Sequence, residues 1–570
     1  MEENKEVVNQ TNNNQQVAQN EIKGQSNMET IKAYPSGQNP EDNPEKKPKK
    51  SKKGLIIVLI ILILLIAAGA YYYFMIYNKK ETKTIKNEPS PKYEYKMKGN
   101  SLENFDLKFM QLENNGKNIV YSPLSIKYAL AMLSEGAKGE TKTQIDNIIG
   151  DYKSKNYPNN KHMSFANAMF VRNTFEKEVK DEYTNTLKDK FNAEVILDPF
   201  ANPNNINKWV SNKTFKLINN LLDDVSQNNF LLINALAIDM NWNNRIQAAT
   251  AKLPEGMKQI NYSVNYVHEE YGDWIETIED ENYPGMKFNG TDDIKSVKVG
   301  ASFNHYDIIK DKGEENIRST VKADYEKFLK ENPDQVEVCP GVDEYLNQFV
   351  KEIKTNYKKS DISTDFYISD NENEKVFAKD LQTYDKMTLQ YIGIMPKKDS
   401  LKDYINNTNA DKLSNIIDNM KEVKYENFKE DVVTKIKGNI PLFKYDYELE
   451  LDKDLKTLGI NNIFDSNKAD LSNMISTKQF IDKTIHKADI EFSNDGIKAA
   501  AATAISGMGA TMACTYDYNF EVPVEEIDIT FDKPYIYIIR DKDSGEVWFM
   551  GSVYEPIKCA KNKCHSDSEE

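Results

Sequence analysis

Gly496-Ile497-Lys498-Ala499-Ala500-Ala501-Ala502-Thr503 is the stretch that decides how this chain is read. It leads into Ser506-Gly507-Met508-Gly509-Ala510-Thr511-Met512. Two β-type runs follow, Ile527–Phe531 and Tyr535–Arg540, and then Trp548-Phe549-Met550-Gly551-Ser552-Val553. On propensity alone four alanines favour a helix. A helix also needs a buried face, and no large apolar residue here is spaced to supply one. Small side chains suit instead a strand that must slip late into a crowded sheet.

The surroundings of the run carry a resemblance. Upstream lie His486-Lys487-Ala488, Ala469-Asp470-Leu471-Ser472 and Leu458-Gly459-Ile460; downstream lie Phe531-Asp532-Lys533-Pro534-Tyr535 and Phe549-Met550-Gly551. Near the start, Asn118-Ile119-Val120-Tyr121-Ser122-Pro123-Leu124-Ser125 runs into Ala129-Leu130, Gly136-Ala137-Lys138-Gly139-Glu140-Thr141 and Gln144. Between these sit Asn207-Lys208-Trp209-Val210, Thr214, Ile218, Asn234-Ala235 and Trp242. In this order the segments resemble the serpin family. The resemblance implies an α+β fold, with helices around three β-sheets and an exposed reactive-centre loop.

The chain has 570 residues, more than one core usually holds, so a domain with extensions is expected. Its formal charge is −15. Residues 1–53 hold nine Lys and eight acidic residues, so the acidity lies beyond them, which argues against nucleic-acid binding. Four Cys (339, 514, 559, 564) and five His give no disulfide scaffold and no metal-ligand spacing. Cys559 and Cys564 either pair or stay as exposed thiols; their spacing leaves both open.

Residues 1–53, rich in Asn, Gln, Glu, Lys and Pro, read as a disordered tail. Gly54–Tyr77 is an uncharged run of 24 residues, enough to span a bilayer as a helix. Lys46, Lys47, Lys49, Lys50, Lys52 and Lys53 precede it, against the sparser Lys79, Lys80, Lys83 and Lys86 after it. That bias predicts a single-pass protein of the cell membrane, N-terminus cytoplasmic and main domain extracellular. Tyr71, Tyr72, Tyr73 and Tyr77 would form the outer aromatic belt. The rival is a cleaved signal peptide ending near Ala68-Gly69-Ala70, against which stands the long polar segment before it. Residues 78–100 read as a stalk, 101–556 as the globular domain and 557–570 as a polar tail.

Within the globular part, Ile126–Glu135, Lys142–Ile149, Lys177–Lys190 and Ile206–Leu222 carry apolar residues at helical spacing. Leu231–Met240 and Leu389–Met395 read as buried strands, so the fold class is α+β. Residues 306–362 exceed what the serpin pattern needs; Thr320–Leu329 and Tyr345–Tyr357 mark them as an inserted helical subdomain.

Enzyme chemistry finds no foothold. There is no Gly-x-Ser-x-Gly elbow, no His-Glu-x-x-His and no Walker-type loop, and His268-Glu269-Glu270 lacks a second His at the required spacing. No cofactor and no metal are expected.

The resemblance implies instead that the segment after Gly496 is bait. A protease cuts one bond and forms an acyl-enzyme, and the freed loop enters the main sheet as a new strand. Alternate residues of a strand share a face, so Ile497, Ala499, Ala501 and Thr503 should point inward, with Lys498, Ala500 and Ala502 outward. None of the inward set is charged. Two positions depart from the family pattern: Ile497 stands where a small hydroxylated residue is usual, and Lys498 where an acid is usual. The usual hinge length puts the scissile bond at Ala510–Thr511, with Met508 and Met512 as alternatives because the loop, about 496–526, is long. A small residue there suits elastase-like or subtilisin-like serine proteases, with cysteine proteases a second class of target. The resemblance also makes Ser122, Ser125, Asn234 and His486 the polar cluster where the sheet parts, and Trp242 the aromatic at its top. The expected protein is a monomeric inhibitor; the alternative is a non-inhibitory surface-binding or structural protein on the same fold.

Overall fold

The computed structural model describes residues 95–243, 274–277, 286–356 except 291, 366–497 except 483, 494 and 495, then 514, 516, 518, 520 and 522–559. The expected span 54–77, the candidate scissile positions 508 and 510–512, and residues 498–503 lie outside them. Among the described residues no helix is long and apolar enough to cross a membrane.

Two ladders form the main sheet. In the first, β1 (Met163–Arg172) pairs parallel with β2 (Ala193–Asp198) and antiparallel with β3 (Phe230–Ile238). The chain breaks at Asp239 and resumes as β4 (Met240–Asn241). In the second ladder, β5 (Phe443–Glu450) pairs antiparallel with β6 (Ile485–Phe492), and β6 with the short β7 (Gly496–Ile497), which in turn pairs with β4. The two ladders therefore meet at the top through β4 and β7 only; no strand lies between β3 and β6 among the described residues.

A seven-stranded sheet backs this one. Its order is Ile119–Tyr121, Val547–Val553, Tyr535–Asp541, Leu389–Pro396, Glu374–Asp380, Phe366–Asp370 and Lys421–Glu422. The strands Leu389–Pro396 and Val547–Val553 are buried along their whole length, as near-continuous apolar runs require. A four-stranded sheet joins Val524–Asp528, Val433–Pro441, Ser296–Asn304 and Trp274–Thr277. Met286–Phe288 and Asp292–Ile294 make a two-stranded ribbon.

Two helices join the sheets at their base, α1 (Asn104–Leu112) and α2 (Pro123–Gly136). Pro123 suits the first turn, where its missing N–H would go unused, and Ser122 caps the helix by accepting from Ser125 N at 3.1 Å. Asp106 on α1 and Lys127 on α2 meet at 2.6 Å with neither side chain exposed.

The expected helix Ile206–Leu222 is shorter in the structure, Asn204–Lys213. Thr214 Oγ1 donates back to Val210 O at 2.9 Å, and Phe215 and Lys216 then take positive φ, which ends the helix and turns Ile218 into a second small core. Lys177–Lys190 likewise divides into a 3-10 turn, Asn173–Glu178, and a helix, Asp181–Phe191.

Beyond Ile308–Lys312, the helices α3 (Glu314–Glu331) and α4 (Val342–Asn356) run antiparallel. Lys354 Nζ reaches Glu314 at 2.7 Å, Arg318 Nη1 donates to Asn347 at 3.0 Å, and the Tyr325 and Tyr345 rings stack at 4.3 Å. Ile317, Val321, Tyr325, Phe349 and Val350 give this pair a core of its own.

Breaking the buried Asp106–Lys127 pair should strand an uncompensated charge, at about 3–5 kcal/mol. Lys127→Met should therefore lower the urea midpoint of the full-length chain strongly. Asp106→Asn combined with Lys127→Met should recover much of the loss. Equal midpoints for wild type and the single variant would refute this account.

Candidate functional site

The site is the seam between β3 and β6. At its top, β7 sits as the first rung of a strand: Ile497 faces Met240 on one side and Phe492 on the other, and only 2 % of it is exposed. Gly496 has φ 157°, and a Cβ there would lie 2.1 Å from Met240 O and 2.7 Å from Asn241 Cα. Only glycine lets the chain approach that closely. Ser493 closes the turn, its N–H donating to Gly496 O at 3.0 Å. Trp242 is fully buried beside it and donates Nε1–H to Ser493 O at 3.1 Å. The Trp242 ring also meets Phe492 edge-on at 5.4 Å.

Below Ile497 the seam is open. A cavity of about 100 Å³ is lined by Ser122, Ser125, Asn234 and His486, so the fold brings all four predicted residues together. Trp242 lies apart from them, at the top. Further down, a second cavity of about 460 Å³ lies between Phe230–Leu232 at the start of β3, Thr484 just before β6, and Ile126 and Leu130 of α2.

The four polar residues belong to different walls. His486 Nε2 accepts from the backbone N–H of Ser122 at 2.9 Å, which ties β6 to the start of α2. Asn234 Nδ2 donates to Asn167 Oδ1 at 2.7 Å, within the β1–β3 ladder. Asn167, unmarked in the sequence reading, in turn donates to Phe191 O at 2.9 Å. Burial holds the His486 imidazole well below its ordinary value, at about 4. The ring is thus neutral at physiological pH, and its Nε2 is free to act as an acceptor.

The two ends of the expected loop, 496–526, lie in strands. At one end Gly496 and Ile497 are paired and buried in the main sheet. At the other, Val524–Asp528 is a strand that pairs in parallel with Val433–Lys437. Just before it, Tyr516, Tyr518, Phe520 and Val522 pack on the α3–α4 pair, and Cys514 forms a disulfide with Cys339, 175 residues away. This pairing is not among the expectations drawn from the sequence. Its signal was the alternation Cys514-Thr515-Tyr516-Asp517-Tyr518-Asn519-Phe520-Glu521-Val522, every second residue able to bury. Cys559 is also disulfide-bonded; residue 564 lies outside the described chain.

A family described as serpin (serine protease inhibitor) matches residues 105–254 and 348–556. The chain belongs to the serpin family. A second family, described as mobile element protein CD1107-like, matches residues 1–82. Mouse neuroserpin is 24 % identical over 461 residues, covering 77 % of this chain and 86 % of its own length. Human leukocyte elastase inhibitor is 34 % identical over 123 residues, 21 % of this serpin and 30 % of its own length. Among solved structures, thyroxine-binding globulin complexed with thyroxine has a TM-score of 0.50 at 16 % identity, covering 80 % of this chain and 98 % of its own; at that identity it speaks to the fold alone.

The His486 shift sets a pH dependence. Its folded value, about 4, lies below the ordinary 6.5, so the unfolded chain takes up the proton first. The stability this serpin draws from neutral His486 is complete above pH 6.5 and is lost as pH falls towards 4. The loss is roughly 2–3 kcal/mol, reduced where the groove admits water to the ring. Urea midpoints measured from pH 7.5 to 4 should fall over that window, and His486→Gln should flatten the slope. A variant slope as steep as the wild type would remove His486 as the cause.

Proposed function

We propose that this serpin is a membrane-anchored inhibitor of serine proteases that acts by suicide cleavage, loop insertion and covalent trapping. One observation carries the reading: β7 is already seated at the mouth of an open seam, in antiparallel register with both walls. Continuing that register residue by residue sets Ala499 between Ile238 and Ile490. It sets Ala501 between Leu236 and Ala488, and Thr503 between Asn234 and His486. Directly opposed residues share a face, and Leu236, Ile238, Ala488 and Ile490 are all buried. The alanine methyls fit such an apolar seam, and the Thr503 hydroxyl arrives at its polar centre. The unusual Ile497 is accommodated against Met240 and Phe492, and Lys498 falls on the opposite, outward face.

The chain's own residues supply the motion and the target protease supplies the chemistry. We therefore read the protein as an inhibitor and not an enzyme. Attack at Ala510–Thr511, or at Met508 or Met512, leaves the protease esterified to the upstream end of the cut. Zipping Lys498 onward into the seam drags the protease along and distorts its active site. Losing one oxyanion-hole donor alone costs about 2.7–4 kcal/mol of transition-state stabilisation, so deacylation stalls. Before the cut, the open seam persists behind a kinetic barrier. The likeness to leukocyte elastase inhibitor supports an elastase-like target, as does the small residue at 510.

The Lys bias around residues 54–77 supports an anchor with the serpin domain outside the cell. We read the helical unit around α3 and α4 as an insertion; the family match leaves out residues 255–347, which take in α3 and the first six residues of α4. The working species is taken to be a monomer.

Full-length protein mixed with an elastase-like protease should yield an adduct that resists boiling in detergent, at near-equal stoichiometry. Thr503→Arg would push a guanidinium between Asn234 and His486, and burying that charge costs several kcal/mol. The variant should be cut at nearly the wild-type rate yet trap nothing. Clean turnover of the wild type without adduct would favour the non-inhibitory alternative. For the anchor, protease added to intact cells should remove the domain and spare an N-terminal tag; a tag cleaved from outside would reverse the topology.

A further inference from the structure

The helical unit Ile308–Asn356 has a face with a specific occupant. Tyr516 lies against Tyr325, Phe328 and Tyr345 at centroid distances of 4.6, 4.9 and 5.3 Å, and its hydroxyl donates to Asp324 at 2.8 Å. Tyr518 and Phe520 follow on Phe349, at 6.3 and 6.2 Å. Cys514 is covalently joined to Cys339, in the turn between α3 and α4. The far end is fixed too: Pro523 O accepts from Val433 N at 2.8 Å as the chain enters its strand. Cys514, Tyr516, Tyr518, Phe520 and Val522 are thus all engaged with the unit.

We propose that this unit is an anchor for the distal arm of the bait segment, and that it confines productive cleavage to bonds upstream of Cys514. The inference rests on the trapping reading above. A strand can enter the seam only if its free end can travel. A cut after Tyr516, Tyr518 or Phe520 leaves Cys514 on the freed piece, still bonded to Cys339, and that piece cannot follow the seam. A cut before Cys514 leaves the arm behind and releases everything upstream. The same packing takes the bulky side chains out of reach of a protease pocket. Proteases that select large aromatic residues are thereby excluded, and the small residues and methionines upstream remain as bait. The surplus residues of the loop are subtracted from it by the helical unit.

The test uses full-length protein in two arms. In the first, a chymotrypsin-like protease is applied and cuts after Tyr518 and Phe520 are counted by mass spectrometry. These should be at least tenfold slower in wild type than in Cys514→Ser/Tyr516→Ala, with Cys514→Ser alone between them. Equal rates in all three would overturn the anchor. In the second arm, Ala510→Arg and Asn519→Arg are each challenged with an arginine-specific serine protease. Ala510→Arg should give the detergent-resistant adduct, and Asn519→Arg should give none. An adduct from Asn519→Arg with the Cys339–Cys514 bond intact would overturn the confinement. If Ala510→Arg gives no adduct while Tyr518 and Phe520 stay protected, the trapping reading fails and the anchor stands.

Discussion

Two neighbouring strands of the main sheet, β3 and β6, are held apart, and much of the molecule is arranged around that separation. Each is paired on its outer side, to β1 and to β5, and each carries buried apolar residues on the face that the backing sheet covers. A pairing edge left facing a cavity is an energetic liability in an ordinary protein. Here, among the described residues, it is bridged only at the top, by β7, with Trp242 and Ser493 bracing the turn. His486 and Asn234 hold the two walls to separate partners, α2 and β1, and among the described residues no side chain of the predicted cluster joins one wall to the other. The arrangement resembles a fastener with its slider parked at the first tooth.

The hinge departs from the family pattern where the structure has room for it. A β-branched residue at 497 restricts χ1 and favours extended backbone, and Ile497 fills the space beside Met240 and Phe492 that a smaller side chain would leave empty. The resting position of the hinge is thereby favoured. On the proposed trapping reading, the driving force for insertion would come mainly from the alanines and the ladder bonds beyond Ile497, each net bond contributing about 0.5–1.5 kcal/mol.

Much of this was legible in the residues. The helical spacing of Ile126–Glu135 announces a helix, found as Pro123–Gly136, and the apolar runs Leu231–Met240 and Leu389–Met395 announce buried strands. Ser122, Ser125, Asn234 and His486 were found through family order, since nothing local marks four residues spread over 364 positions as neighbours. The end of the Asn204–Lys213 helix was missed because Phe215 and Lys216 take left-handed backbone that neither side chain favours. The Cys339–Cys514 bond was missed for a different reason. Pairing between distant thiols depends on a tertiary face, and the alternating Tyr516–Phe520 pattern has meaning only once that face, on α3 and α4, exists.

That bond has a topological consequence. Residues 339 to 514 form a closed covalent ring, and β5, β6 and the seated hinge all belong to it. A cut at any peptide bond inside the ring opens it without dividing the molecule. The C-terminal piece, with its strand Val524–Asp528 and the two core strands after it, stays tethered to the remainder through sulfur. A chain cut inside the ring therefore sheds no fragment, and its two pieces separate on a denaturing gel only after reduction.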